Sequence, residues 1–543
     1  MFIFDAGTGI KALSDSLMAA KRSRLDATIL ITHAPWDHID ALPFFAPLYG
    51  VGHRLSIHRP AHGDKSLHDL PLGFEELHGL AHDLGRARVR IAGFEFLRVE
   101  EDHRSRILSR EPRAVRLRAA CDCAQIGIRS ESGAVSPVLT RRRFVASLGA
   151  AAAGLALPGC GGGDPSRYTD EDIARLAAQR VRERAESGTG PYGPQVYRGY
   201  RGLAELLWFE LDSEGVLRCV ADDFAPAIDI HCHFGMSMLL APEIDLQRRT
   251  ARVQHLLDCD AADPGCELDL DVYINANFGP DDLRALWLGS VAQGTIGSRA
   301  AATQTIPNLM AEMDASRVAQ ALILPIAFGL PFGDDLSERW RAAITRAGAG
   351  DRFLAGGTVH PRDSDRIQVL EREAAAGAKA IKLHPTMQRF YPDDPAVMDI
   401  YEACDRLGLV VFFHAGRAGI EPEATHRYAL PRHYEGAIAA FPRVEFVLGH
   451  AGARDVAEAV PLARRYENAW LGIHGQGVTQ LGEILEATGG ERMLFGSDWP
   501  FYHLAATLAK VLIVTEGRPR ERHAILRGNA EGLLGLPSPH GRS

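Results

Sequence analysis

At 543 residues the chain is too long for one average domain, so two or three units are expected. Its 46% hydrophobic and 24% charged residues are ordinary for a soluble globular protein, and a formal net charge of −9 leaves no basic footprint for nucleic acid. No apolar run reaches the roughly 18 residues of a spanning helix, and eight scattered cysteines without a Cys-x-x-Cys pair make neither a disulfide scaffold nor a structural zinc site.

Residues 1–58 open with an apolar run, Phe2–Gly9, and a second, Ala27–Thr32, leads into His33, Asp37 and His38. This resembles the metallo-β-lactamase-like fold, in which a strand ending in an Asp-x-Gly turn precedes a His-x-His-x-Asp-His cluster. The middle histidine of that cluster is replaced by Pro35, which has no side-chain donor atom. The segment reads as a truncated fragment without activity of its own. Residues 59–138 are rich in arginine, carry no clear periodicity and remain unassigned, with an unfolded state as one reading; Cys121 and Cys123 there read as a chance pair.

Residues 139–160 hold the parts of an export signal: Arg141, Arg142 and Arg143 before Phe144, a short apolar stretch from Val145 to Leu157, then Pro158, Gly159 and Cys160. The arginines resemble a twin-arginine signal and Leu157–Cys160 a lipoprotein cleavage box; the plainer alternative is an alanine-rich helix after a basic turn. If the signal is used, the working protein begins at Cys160 and is exported, periplasmic or lipid-anchored outside the cytoplasmic membrane; otherwise it stays cytoplasmic. Residues 161–226 read as a linker and N-terminal extension around an amphipathic helix, Asp170–Ala185, with apolar Ile173, Leu176, Ala177 and Val181 at helical spacing.

From Ala227 short β-rich runs alternate with helical patterns: 227–233, 318–325, 353–360, 378–384, 409–414, 444–450, 469–474 and 493–498. Eight such repeats predict an α/β fold, a (β/α)8 TIM-type barrel, with 234–317 inserted over its mouth and Cys259 and Cys266 able to pair there after export. Polar residues gather at the ends of these runs, the active face in this architecture: His231 and His233, two apart on one strand and so on one face, Lys382 and His384, His414, His450 and Asp498. Imidazoles and a carboxylate converging on one point suit zinc and neighbouring divalent metals. His360, His474 and His503 also lie near strand ends and are left unassigned, and Asp229 reads as a buried partner of the site.

With these motifs, together with Gly416 after His414, Gly452 after His450, Pro500 after Asp498 and the closing Gly528 and Asn529, residues 227–537 resemble the metal-dependent amidohydrolase superfamily, in its amidohydrolase-related branch, which also holds decarboxylases. The resemblance implies that His231, His233 and His414 hold one divalent metal, Zn2+ by preference, with Asp498 a fourth ligand or the base, and that His450 polarises substrate or shuttles a proton. Lys382 is expected to be a substrate-binding or electrostatic residue, with a carbamylated bridge between two metals as the alternative. His384 and Arg417 are expected to contact substrate, although a surface position for Arg417 is equally compatible with the sequence. The implied function is hydrolysis of an amide, ester or lactone. The alternatives are non-oxidative decarboxylation of an aromatic or unsaturated acid, and a non-catalytic barrel lipoprotein, against which the full ligand set speaks. The expected partners are a small-molecule substrate, a membrane through lipidated Cys160 alone, and a second copy in a homodimer.

Overall fold

The structure is a computed structural model that describes residues 165–238, 241–260, 266–295, 297–330 and 334–537, together with four strands of the N-terminal region. The chain divides into two units, Met1–Leu157 and Pro158–Ser543. In the first, strands β1 (Phe2–Phe4), β2 (Asp26–Leu30), β3 (Arg54–His58) and β4 (Arg88–Ile91) form one parallel sheet in that order. β1 and β2 fall on the two apolar runs expected there, whereas β4 lies in the stretch left unassigned. His33, Asp37 and His38, and the whole signal-like segment 139–160 with Cys160, lie outside the described residues.

The second unit opens with the helix Asp170–Ala185, then β5 (Val196–Arg198) and a hairpin of β6 (Phe209–Leu211) and β7 (Leu217–Cys219). β8 (Ala227–Cys232) begins the barrel, and β9 (Glu267–Asp269), in the insertion, pairs antiparallel with β5. The barrel continues through β10 (Val318–Ile323), β11 (Phe353–Ala355), β12 (Gly357–Thr358), β13 (Ala380–Leu383), β14 (Val410–Phe413), β15 (Phe446–Leu448), β16 (Ala469–Gly472) and β17 (Met493–Leu494). β11 and β12 are one strand interrupted at Gly356, so the eight expected runs are all present. β8, β10 and β11 form one parallel sheet and β12 to β17 another. The ends meet where Ile230 N donates to Phe495 O at 3.0 Å and His233 N to Trp499 O at 2.7 Å.

These strands are apolar without polar alternation, as in β14 (Val-Val-Phe-Phe), because a parallel sheet under a layer of helices is covered on both faces. Alternate positions (Ile228, Ile230, Leu322, Ala380, Val410, Phe412, Val447, Leu494) pack into an interior core that Ala530 and Leu534 of the last helix also join. Their neighbours, such as Val411, Phe413, Phe446 and Leu471, face the helices. Inward parity therefore continues from Ala380 to Lys382 and His384, and from Phe412 to His414.

β8 departs from that parity. Asp229 pairs with Ala321 and Cys232 with Ile323, so β8 carries one more residue than β10 across that step. This bulge turns His231 and His233, rather than Cys232, onto the face that Ile228 and Ile230 occupy below.

The N-terminal extension is no loose linker. In the helix Asp170–Ala185, Ile173 is 52% and Val181 69% exposed, while Asp172 and Leu176 are buried. Of the expected apolar face Leu176 is buried and Ile173, Ala177 and Val181 are exposed, and ion pairs help seat the helix. Asp172 caps the helix by accepting from Thr169 N at 2.8 Å and is gripped by Arg432 at 2.7 Å, and Glu183 takes Arg454 at 2.9 Å. The insertion is partly helical, as expected, with helices at Pro280–Thr295 and Ile306–Ala315, and Cys259 and Cys266 are joined by a disulfide.

Candidate metal centre

Six buried side chains meet at the C-terminal strand ends: His231, His233, Lys382, His414, His450 and Asp498. His474, at the end of β16, joins them, and ligand atoms of His231, His474 and Asp498 lie within 4.8 Å of one another. Asp498 Oδ1 is 3.4 Å from His233 Nε2 and 3.6 Å from His231 Nε2, and Asp498 Oδ2 is 4.0 Å from His450 Nε2. Asp498 and His450 hold positive φ angles of 62° and 56°, a conformation non-glycine residues adopt at a cost of order 1–3 kcal/mol that functional sites tolerate.

The hydrogen bonds fix the tautomers. His233 Nδ1 lies 2.6 Å from Leu324 O; a carbonyl only accepts, so Nδ1 carries the proton and Nε2 a bare lone pair. That lone pair faces the Asp498 carboxylate. Two acceptors at 3.4 Å repel unless a cation lies between them, and ligands about 2.0–2.1 Å from a tetrahedral ion stand about 3.4 Å apart. Burial pulls the pKa values of His231 and His474 down, that of His474 to about 3, and His474 Nε2 accepts from His450 N at 3.1 Å. The donor set fits a divalent metal.

His414 is engaged at both nitrogens. Nε2 lies 2.7 Å from Glu421 Oε1, and Nδ1 lies 3.2 Å from His450 Nε2. His450 Nδ1 in turn lies 3.1 Å from the Tyr273 hydroxyl. An ionised Glu421 accepts from Nε2–H, so His414 Nδ1 accepts from His450 Nε2–H, and His450 Nδ1 accepts from Tyr273. Every bond in this row thus has one polarity. Burial, then His474, holds His450 well below its usual pKa.

Lys382 Nζ lies 3.0 Å from His231 Nε2, and burial pulls its pKa down to about 7. His384 stacks on His414 with centroids 4.0 Å apart, and its Nδ1 meets Thr386 Oγ1 at 3.0 Å. Asp229 accepts from His231 N at 2.9 Å and Ser497 N at 3.0 Å, tying β8 to the Asp498 turn. Arg417 is neither exposed nor free for substrate. Its guanidinium binds Asp455 at 2.5–3.2 Å and donates to Asp172 O at 2.6 Å, so it anchors the N-terminal helix. A Cβ on Gly416 would lie 1.8 Å from Gly452 O, and its φ is 76°; only glycine lets the turns after His414 and His450 touch.

Sequence reasoning missed His474, Glu421 and Tyr273. His474 carried a signal, a histidine at a seventh strand end; Tyr273 and Glu421 lie in segments without periodicity.

Residues 228–536, more than half of the chain, match the amidohydrolase family. Nothing among curated proteins matches the sequence. Solved structures resembling it include an uncharacterized TIM-barrel protein from Bordetella bronchiseptica, with 19% identity, 57% of this chain and 98% of that one covered, and a TM-score of 0.40. Others are 5-carboxyvanillate decarboxylase from Novosphingobium aromaticivorans (16%, 59% and 98%, 0.40) and 2,6-dihydroxybenzoate decarboxylase from Rhizobium (16%, 58% and 100%, 0.39). These likenesses say nothing of the reaction. Among the described residues no helix is long and apolar enough to cross a membrane.

Proposed function

Because this chain belongs to the amidohydrolase family, we propose that it is a metal-dependent hydrolase acting on an amide, ester or lactone. One zinc ion would be held by His231, His233 and Asp498, with His474 beside them and His414 adding Nδ1 where the ion takes the place of the His450 Nε2–H it otherwise accepts. The observation that carries this reading is the bare His233 Nε2 facing ionised Asp498 at 3.4 Å. When bound, such an ion polarises a carbonyl and lowers the pKa of water towards about 7. Asp498, ionised and buried, accepts the proton of the attacking water. His450, neutral and 4.0 Å from Asp498, is placed to pass a proton to the leaving nitrogen or oxygen. The surrounding histidine cluster keeps bulk water away, which strengthens these charge interactions.

One observation favours a second reading. Lys382 is the cationic side chain beside His231, and a substrate carboxylate there would hold it protonated. That suits decarboxylation, with Asp498 or His450 delivering the proton to carbon.

The first test is metal content of the purified chain by inductively coupled plasma mass spectrometry. About one zinc per chain, lost in His233→Ala, supports the centre; no bound or bindable metal overturns it. Products then separate the reactions: turnover of lactones or esters without carbon dioxide supports hydrolysis, and carbon dioxide from hydroxybenzoates supports decarboxylation. The disulfide between Cys259 and Cys266 fits export to an oxidising compartment, and mass spectrometry of the mature N-terminus tests cleavage at Cys160.

A further inference from the structure

We propose that Glu421 is a positioning residue of the metal centre, whose carboxylate fixes the tautomer of His414 and, through it, that of His450. The inference rests on the metal reading above.

Glu421 is buried seven residues beyond His414 in the turn after β14. Its Oε1 takes His414 Nε2–H at 2.7 Å and Ala418 N at 3.2 Å, and Oε2 takes Gly419 N at 2.8 Å. With Ala418 N–H and Gly419 N–H donating to its two oxygens, the carboxylate is oriented to meet His414 as an acceptor. It can therefore only accept. His414 must keep its proton on Nε2 and turn its Nδ1 lone pair to the centre, where His450 Nε2 stands at 3.2 Å. A carboxylate behind an imidazole also raises the basicity of the opposite nitrogen, and removing such partners typically costs 10–100-fold in metal affinity.

The turn that carries Glu421 is held from outside the barrel. Ala418 O accepts from Arg454 Nη1 at 2.7 Å and from Asn275 Nδ2 at 3.0 Å. Arg454 is locked by Glu183, and the adjacent Arg417 by Asp455 and by Asp172 O. Asp172 and Glu183 belong to the N-terminal helix and Asn275 to the insertion. Glu421 is thus set in place by a helix that precedes the family match and by the inserted segment.

The test is zinc affinity of the full chain by competition with a chromophoric chelator, for the wild type, Glu421→Gln and Glu423→Gln. Glu423 lies two residues on, at the start of the short helix Glu423–Tyr428, and the carboxylate hydrogen-bonded to His414 is that of Glu421. Glu421→Gln keeps the shape and loses the charge; it is expected to weaken zinc about 10- to 100-fold, with Glu423→Gln unchanged. Wild-type affinity in Glu421→Gln overturns the role of Glu421 and leaves the centre standing, whereas a wild type that binds no zinc overturns both. If Glu421→Gln does not fold, nitrogen-15 NMR of histidine-labelled wild type decides. A neutral ring protonated at Nε2, missing from His414→Ala, supports the assignment; protonation at Nδ1 overturns it.

Discussion

The Tyr273 hydroxyl lies 3.1 Å from His450 Nδ1, so a residue of the inserted segment holds the ring of a residue at the end of β15. Removing that hydroxyl leaves a buried imidazole nitrogen without a donor. Tyr273→Phe is expected to cost about 1–3 kcal/mol in urea denaturation, to leave zinc stoichiometry unchanged, and to lower kcat more than it raises KM. Lost metal would show that Tyr273 supports the ligands rather than His450.

Metal content separates the ligand set from its surroundings. His231→Ala, His233→Ala and Asp498→Ala are expected to lose the ion on dialysis, while His384→Ala retains it, since His384 contributes a stacked ring and turns Nδ1 to Thr386. The His474→Ala result decides whether the seventh strand supplies a ligand. Equilibrium dialysis followed by mass spectrometric metal analysis checks all five variants.

Arg417 has a side chain with 1% exposure, paired with Asp455. Arg417→Met strands that carboxylate, and breaking a buried pair costs about 3–5 kcal/mol. A matching fall in unfolding free energy is expected. A variant of wild-type stability with a raised KM for an anionic substrate would restore Arg417 as a substrate contact.

Acid stability should report a second buried group. Glu312 accepts from Trp499 Nε1 at 3.2 Å and Leu504 N at 2.6 Å, and pairs with His255 at 3.1 Å and His503 at 3.6 Å, with the Tyr200 ring beside both. Burial raises its pKa, but His503 and His255 outweigh that and bring it down from 4.5 to about 2. Its folded pKa lies below the unfolded one, so its contribution is full above about 4.5 and lost as pH falls towards 2. His503, whose pKa burial pushes down, takes up its proton in the unfolded chain first as pH falls below about 6.5, so stability is lost there too. Melting temperature against pH should fall through this window, and Glu312→Gln should flatten its lower part. An unchanged slope in the variant would remove Glu312 from the account.

The barrel was legible because each strand is an apolar run closed by a chemically distinct residue, and a parallel sheet prints that pattern directly. His231, His233, His414, His450 and Asp498 could be found because imidazoles and a carboxylate at successive strand ends have few other uses. The bulge in β8 was not legible: it depends on register against β10, which no single strand encodes. Nor were Glu421, Tyr273 and the burial of Arg417, whose roles arise from segments meeting across the fold. The helix Asp170–Ala185 has the expected bounds, but of its apolar spacing (Ile173, Leu176, Ala177 and Val181) Leu176 alone is buried, and its ion-pair partners are arginines more than 200 residues away.

That helix also redraws the border of the catalytic unit. Asp172 and Glu183 precede the family match, yet they tether Arg417, Arg432 and Arg454, and two of those arginines stand in the turns that follow His414 and His450. A protein trimmed to the matched barrel would keep its metal-facing side chains and lose the scaffold behind two of them. The smallest piece that carries the whole site therefore starts upstream of Asp170, and an enzyme shortened to residue 228 should be judged as a mutant of the active site rather than as its minimal form.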